Sequence, residues 1–323
     1  MQNYPKAKQS TVVVTVVNLL AVFFAIIFMF PVIDNTRYQE NLAAVALSEL
    51  PKPVFHEADP FTNLLLEATA VEVYDISQQK ILYSKNANKK LPLASVTKVM
   101  TALVSSEIPD DTTMEVSTSS LSVGAGGLVQ NEVWKLKTLR DYTLVVSSNS
   151  GANVIAENTG AYLRRDTLGT ENNVVYFVKK MNDKAHEIGM FQTSYRNPSG
   201  LDENETVSGG YGSVEDMVTL YSYILKNKPS LLSATTLDTV DYLSEDGVNH
   251  HGLNTNTVAR KVPGLIASKT GYTTLANGNL VIAFNVGPMH PVIISVLGSS
   301  QEGRFIDVQK LVDASIAKIN QAQ

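Results

Sequence analysis

Residues 11–33, TVVVTVVNLLAVFFAIIFMFPVI, run for 23 positions (33 − 11 + 1) without a charged side chain. As a helix this stretch is roughly 34 Å long, against a bilayer hydrocarbon core of about 30 Å. It is apolar on every side, whereas a helix on the surface of a globular domain keeps one polar face. The run therefore predicts a single-pass membrane anchor. Lys6 and Lys8 precede it, and Asp34, Arg37 and Glu40 follow. The basic flank belongs on the cytoplasmic side, which makes residues 1–10 a cytoplasmic tail and places the rest of the chain on the extracytoplasmic face of the cytoplasmic membrane. The competing reading is a cleaved signal peptide. That would have an apolar region of about 7–15 residues with a small-x-small site directly after it. Here the run is followed by Asp34-Asn35-Thr36, and the nearest small-x-small stretch is Ala44-Val45-Ala46. The uncleaved anchor is the better fit.

Residues 34–67 read as a stalk. A short helix is expected over 41–50, and Pro51, Pro53 and Pro60 break regular structure after it. A folded domain is predicted over 68–323. Residues 70–74 alternate as a strand, 75–79 supply a turn, and 80–84 return as the second strand of a hairpin. From Ser95 to about Val104 the period becomes helical, with Val96, Met100 and Leu103 at i, i+4 and i+7. Two helical segments occupy 138–163, the first opened by Thr138 and Asp141 in the manner of a capping pair. Further helices are expected over 173–188 and from Ser213 to about Leu225. Residues 278–286 and 291–298 are β-branched apolar runs bounded by Gly and Pro, and a last helix spans about 304–319. Helices in the middle and strands at both ends predict an α+β domain whose terminal strands meet in one antiparallel sheet.

Composition narrows the chemistry. A net charge of −5 without long like-charge runs leaves no basic patch for nucleic acid. The absence of cysteine excludes disulfides, zinc-thiolate centres and a Cys nucleophile. His250-His251 lies in a polar stretch and is read as solvated, and His186-Glu187 lacks the second His of a helical zinc motif. No metal and no cofactor are expected.

Three short patterns remain. Ser95-Val96-Thr97-Lys98 sits at a predicted helix start, where Ser and Lys at i, i+3 share a face and the amine reaches the hydroxyl. Serine is a weak nucleophile unless a base takes its proton, and a buried lysine becomes a neutral base. Ser-x-x-Lys also occurs at Ser77–Lys80, inside the hairpin turn, and at Ser315–Lys318, within the last helix. Alone it carries little weight. Lys269-Thr270-Gly271 closes a strand-like segment. Lys and Thr there suit a carboxylate, and Gly permits close approach of a substrate backbone. Ser147-Ser148-Asn149 lies between two helical segments, where a hydroxyl passes a proton and an amide binds a peptide group, or where the same residues simply cap. Ser84-Lys85-Asn86 has the same form but precedes Ser95. S-x-x-K, S-D-N and K-T-G are the joint signature of β-lactamases and penicillin-binding proteins, and here Ser95–Lys98, Ser147-Ser148-Asn149 and Lys269-Thr270-Gly271 fall in that order, with gaps of 52 (147 − 95) and 122 (269 − 147) residues.

The sequence accordingly resembles the serine D-alanyl-D-alanine carboxypeptidase family, the low-molecular-weight penicillin-binding proteins, over about residues 68–319. The matching stretches include LASVTKVMTA at 93–102, VVSSNSGA at 145–152, MFQTSYRNPSGLD at 190–202 and Asn254-Thr255-Asn256. The resemblance implies a β-lactamase/transpeptidase-like fold, with a helical cluster inserted into the sheet. It implies Ser95 as nucleophile on the bond between two D-alanines of a peptidoglycan stem peptide, Lys98 as base, and Ser147 as proton relay to the leaving amine. Asn149, Lys269, Thr270, Gly271 and Tyr272 would bind substrate, with the backbone N–H groups of Ser95 and Tyr272 as oxyanion hole. β-Lactam antibiotics would acylate Ser95. Several positions depart from the family pattern. Tyr272 stands where many relatives have His; Ser148 and Ser150 where Gly or Ala and Asp are common; and Asn131-Glu132 replaces a frequent Gly-Glu turn, tolerably because Asn accepts φ > 0. The long second gap suggests an insertion around 164–173. The 52 residues after Gly271 (323 − 271) accommodate the final strands and helix but not the further C-terminal β domain of many relatives.

Three other functions share these motifs. A D,D-endopeptidase would cut cross-linked peptides in a differently shaped groove. A β-lactamase of the kind that deacylates through a loop glutamate is disfavoured, since no Glu-x-x-Leu-Asn lies between the second and third motifs. An inactive wall-binding sensor is disfavoured by the intact motif residues.

Overall fold

The structure, a computed structural model, describes residues 58–124, 126–165 and 171–321. The expected anchor at 11–33, the cytoplasmic tail and most of the stalk lie outside the described residues. Among the described residues no helix is long and apolar enough to cross a membrane.

A five-stranded antiparallel sheet carries the domain. Its strands are β1 (Ala70–Asp75), β2 (Lys80–Lys85), β10 (Leu265–Thr273), β11 (Asn277–Asn285) and β12 (Pro291–Ser299), in the order β10-β11-β12-β1-β2. The first strand thus pairs with the last, with Val73 opposite Ile294, and the two ends of the domain form one sheet, as the pattern of terminal strands implied. Period-2 alternation sends Val71, Val73, Ile282, Ile294 and Val296 to one face and Ala70, Val281, Ala283, Ile293 and Leu297 to the other.

The six described helices pack on those faces and around a third core. They are α1 (Lys98–Ser105), α2 (Leu136–Val146), α3 (Asn149–Arg164), α4 (Asn173–Glu187), α5 (Val214–Asn227) and α6 (Gly303–Gln321). Val308, Leu311 and Val312 of α6 cover the first face. Val99 and Leu103 of α1, Phe177 and Met181 of α4, and Met217 and Tyr221 of α5 cover the second. Each fully buried side chain of this size stabilises the fold by about 1.5–3 kcal/mol. A third core, around Trp134, Leu139 and Val154, joins α2 and α3 to two small hairpins. One hairpin is β4 (Thr113–Glu115) with β5 (Val133–Lys135); the other is β8 (Thr239–Leu243) with β9 (Asn249–Leu253). A small sheet of β3 (Leu91–Pro92), β7 (Gly210–Gly212) and β6 (Ser194–Tyr195) completes the fold.

Several local expectations change. The segment at Ser95 is not yet α-helix: Ala94–Thr97 form a 3-10 turn, and α1 begins at Lys98. Helix α2 starts two residues before Thr138, so Thr138 is no cap. Its hydroxyl donates back to Lys135 O, and Asp141 pairs with Lys137 at 2.7 Å. His251 is exposed as expected, but His250 is buried, because alternate residues of β9 face opposite ways. Its Nε2 lies 2.5 Å from Glu132 Oε1, against the ring of Trp134. Residues 58–67, expected as the end of a stalk, pack on the body: Phe61 is buried and stacks on Tyr83. Asn131 has φ 64°, the conformation for which Asn is suited. The segment 164–173 links α3 to α4, with 166–170 outside the described residues.

Candidate active site

Ser95 sits in the 3-10 turn that joins the edge of the small sheet to α1. The residue before it, Ala94, has φ 47°, a left-handed conformation that L side chains rarely adopt and that surrounding contacts must hold. Those contacts are visible. Leu93 N donates to Gly210 O at 2.9 Å, and Gly271 of β10 packs flat against the turn. A Cβ on Gly271 would meet Leu93 O at 2.8 Å and Ser95 N at 3.2 Å. The glycine is therefore required by the nucleophile turn itself, a role distinct from the substrate clearance that the K-T-G pattern suggested.

One turn further on, Lys98 points its amine back at the hydroxyl, with Nζ 2.8 Å from Ser95 Oγ. The amine has two further partners, Asn149 Oδ1 at 2.7 Å and the backbone carbonyl of Ser199 at 2.8 Å. Lys98 is buried, and its partners among the described residues include no carboxylate. Burial, reinforced by the charge of Lys269, holds its pKa well below the ordinary lysine value.

Ser147 and Asn149 are presented by a break between helices. Ser147 terminates α2 in the left-handed conformation, φ 60° and ψ 38°. Ser148 then caps α3 by accepting Gly151 N at 3.0 Å. The pattern serves as a cap and as a side-chain display together: Ser148 turns inward, while Asn149 meets Lys98 and Ser147 meets Lys269. Ser148 Oγ and Ser150 Oγ also hold Gly126 O and Gly124 O, which fixes a glycine-rich wall beside them.

On the opposite side β10 brings Lys269, whose Nζ donates to Ser147 Oγ at 2.9 Å. Lys269 is buried beside Arg304, and burial together with that guanidinium pulls its pKa down to about 7. Thr270 Oγ1 lies 2.6 Å from Thr255 Oγ1, and Tyr272 is half exposed at the end of the strand. The eight residues singled out by the sequence are thus brought together by hydrogen bonds and strand contacts. A cavity of about 420 Å³ lies beside Ser147, Ser148 and Asn149, with Gly124, Gly126, Gly252 and Leu253 on its walls.

Three residues escaped sequence reasoning. Ser199 acts through its carbonyl, which no side-chain pattern reveals, although it lies in the stretch 190–202. Thr255 belongs to Asn254-Thr255-Asn256, recognisable but without an assigned contact. Arg304, at the start of α6, donates from Nη1 to Gly271 O at 2.7 Å and adds a third cation behind Lys269; nothing local in the sequence distinguishes it from a helix-surface arginine.

Chemically, the arrangement offers a hydroxyl with an amine base, a second hydroxyl with its own amine, and a cationic corner suited to a carboxylate. The D-alanyl-D-alanine carboxypeptidase family profile matches residues 57–301. The chain is 31% identical over 266 residues to the D-alanyl-D-alanine carboxypeptidase DacF of Bacillus subtilis, an alignment covering 80% of this chain and 64% of that protein. It is 29% identical to a D-alanyl-D-alanine endopeptidase of Pseudomonas aeruginosa, with 85% of each covered. Penicillin-binding protein D2 of Listeria monocytogenes, solved in its ampicillin-bound form, superposes with a TM-score of 0.64 at 28% identity, over 78% of this chain and 98% of that one.

Proposed function

The chain belongs to the D-alanyl-D-alanine carboxypeptidase family, and on that premise we propose that it removes the terminal D-alanine from peptidoglycan stem pentapeptides through an acyl-enzyme on Ser95. The observation that carries this reading is the hydrogen-bond balance at Lys98. A neutral amine has two N–H donors and one lone pair. Asn149 Oδ1 and Ser199 O, at 2.7 and 2.8 Å, can accept both donors of an amine that burial and Lys269 favour in its neutral form, which leaves its lone pair for the proton of Ser95 Oγ at 2.8 Å.

In the proposed reaction Ser95 Oγ attacks the carbonyl of the penultimate D-alanine as its proton passes to Lys98 Nζ. Negative charge on the carbonyl oxygen is met by the N–H groups of Ser95 and Tyr272. The C–N bond then breaks. The leaving amine takes the proton that Lys98 accepted, relayed through Ser147, which returns Lys98 to its neutral form, and free D-alanine departs with its carboxylate released from Lys269 and Thr270. Water, deprotonated by Lys98, hydrolyses the ester and returns the proton to Ser95. A β-lactam enters the same path and stays as a long-lived penicilloyl ester. The uncharged run at 11–33 supports attachment to the cytoplasmic membrane, with this domain on the extracytoplasmic side where the substrate lies.

The test is release of D-alanine from a synthetic pentapeptide ending in D-Ala-D-Ala by the full chain in detergent, followed by mass. Ser95→Ala should abolish both this release and labelling by a fluorescent penicillin; an unlabelled wild type would overturn the reading. The P. aeruginosa relative, matched over 85% of both chains, supports an endopeptidase as the second reading. Cleavage of cross-linked dimers without release from pentapeptide would select it.

A further inference from the structure

The loop between β6 and β7 carries Ser199, the carbonyl that holds the base. Its near end is rigid. Asn197 Oδ1 accepts from Ser199 N and Gly200 N, and Pro198 O accepts the Thr101 hydroxyl at 2.6 Å. Gly200, with φ 76°, lies so close to Ala94 O that a Cβ there would overlap it. Two residues later the same loop reaches across to the other half of the site. Asp202 Oδ1 accepts the Thr273 hydroxyl at 3.0 Å, and Asp202 Oδ2 accepts Leu275 N at 3.2 Å. Thr273 Oγ1 in turn accepts Ala276 N at 3.1 Å, so the carboxylate closes the turn between β10 and β11.

This placement is unusual for a surface carboxylate. Among the described residues no lysine or arginine is a hydrogen-bond partner of Asp202; both oxygens are spent on one turn 71 and 73 residues away. That turn begins one residue after Tyr272, whose N–H is the second oxyanion donor in the proposed reaction. We propose that Asp202 is a positioning residue, a clasp that fixes the loop orienting the base against the strand end supplying the oxyanion donor. It touches neither substrate nor nucleophile. It sets the distance between the Ser199 carbonyl and the Tyr272 amide, and with it the alignment of Lys98 and the carbonyl oxygen during acylation. The inference rests on the serine acyl-transfer reading.

The proposal separates rate from binding. Releasing the clasp displaces both ends by a fraction of an ångström, and misplacement near 1 Å costs about 100-fold in rate. It also admits water to Lys98, which relieves the burial that depresses its pKa. The second-order rate of acylation by a fluorescent penicillin is measured from pH 5 to 9 for the full chain in detergent, with thermal melting recorded in parallel. Asp202→Ala should acylate about 10- to 100-fold more slowly, with the acid limb of its profile moved to higher pH and KM for a D-Ala-D-Ala peptide little changed. Thr273→Val should show a smaller loss in the same direction, and Thr273→Ser should restore the rate. Asp202→Ala/Thr273→Val should be no worse than Asp202→Ala, because both substitutions break one unit.

Unchanged acylation per folded molecule in Asp202→Ala, or losses that multiply in the double variant, would overturn the clasp. So would a lowered melting temperature with an unmoved pH profile, since that is the mark of a merely structural contact. If Asp202→Ala does not fold, Asp202→Asn and Thr273→Val decide by the same profile. Failure of the wild type to label sinks the acyl-transfer reading instead, so the two failures are distinct.

Discussion

Lys269 Nζ donates to Ser147 Oγ across 2.9 Å, joining residues 122 positions apart into a second serine–lysine pair beside the first. The two pairs differ in setting. Lys98 is held by two carbonyl oxygens and has a lysine for its charged neighbour; Lys269 has an arginine on one side and the Ser147 hydroxyl on the other.

In the proposed reaction the first pair carries acylation. Lys98 must be neutral to take the Ser95 proton, so the acylation rate falls as pH drops below its depressed pKa. Lys98→Ala should lower acylation by a fluorescent penicillin by about 10²–10⁴-fold, the usual range for a general base. A loss below tenfold in stopped-flow labelling would mean that another group acts as base.

In the proposed reaction the second pair receives the substrate carboxylate. A lysine with a pKa of about 7 is charged below that pH and neutral above it. KM for a peptide ending in D-Ala-D-Ala should therefore rise as pH increases from 7 to 9. The corresponding C-terminal amide should show no such rise. Lys269→Gln should flatten the dependence, which steady-state assays on both substrates would reveal.

Gly271→Ala tests the nucleophile turn. The added methyl meets Leu93 O and the Ser95 amide nitrogen, so the turn must move while the sheet around it remains paired. Acylation should fall by about 10²-fold, as for other small misplacements of a reacting group. Circular dichroism should be unaltered. Near-normal labelling would show that the turn yields without consequence.

Glu72 affects stability alone. It is buried in β1 with Oε2 unpartnered, and burial, then the charge of Glu215, pushes its pKa up to about 7. A carboxyl whose folded pKa is raised holds its proton in the native state, so the stability present below pH 4.5 is lost progressively as pH rises through 7. Glu72→Gln should be more stable than wild type at pH 8 by about 1–3 kcal/mol and nearly equal at pH 4.5. Urea melts at the two pH values measure this; equal stability at pH 8 would contradict it.

The parts of the protein legible in sequence are those with a local period or a local motif. The β1–β2 hairpin, the β-branched runs of β11 and β12, and helices α4, α5 and α6 follow from alternation and apolar spacing. Ser95, Lys98, Ser147, Asn149 and the Lys269–Tyr272 strand end follow from three short patterns in order. The hidden parts depend on contacts between distant segments. The Ser199 carbonyl is a backbone atom. Arg304 matters because α6 happens to start behind Gly271. His250 looks solvated in sequence because its neighbours are polar, yet the pairing of β9 with β8 turns it toward Glu132. Thr138 looks like a cap because it precedes an apolar period, but β5 leads directly into α2 two residues earlier.

The pairing of Ala70–Asp75 with Pro291–Ser299 bears on how such a chain comes to be folded. While synthesis proceeds from the N-terminus, Val71 and Val73 pair with β2 inside the hairpin, but the other edge of β1 has no partner until Pro291–Ser299 have emerged. Pairings this distant in sequence form slowly, after the loop between them has been closed. Lys269 and Gly271 arrive on β10 just as late. The molecule should therefore be inert until β10 has been made and paired: Ser95 and Lys98 precede by about 170 residues the strand whose Gly271 props their turn.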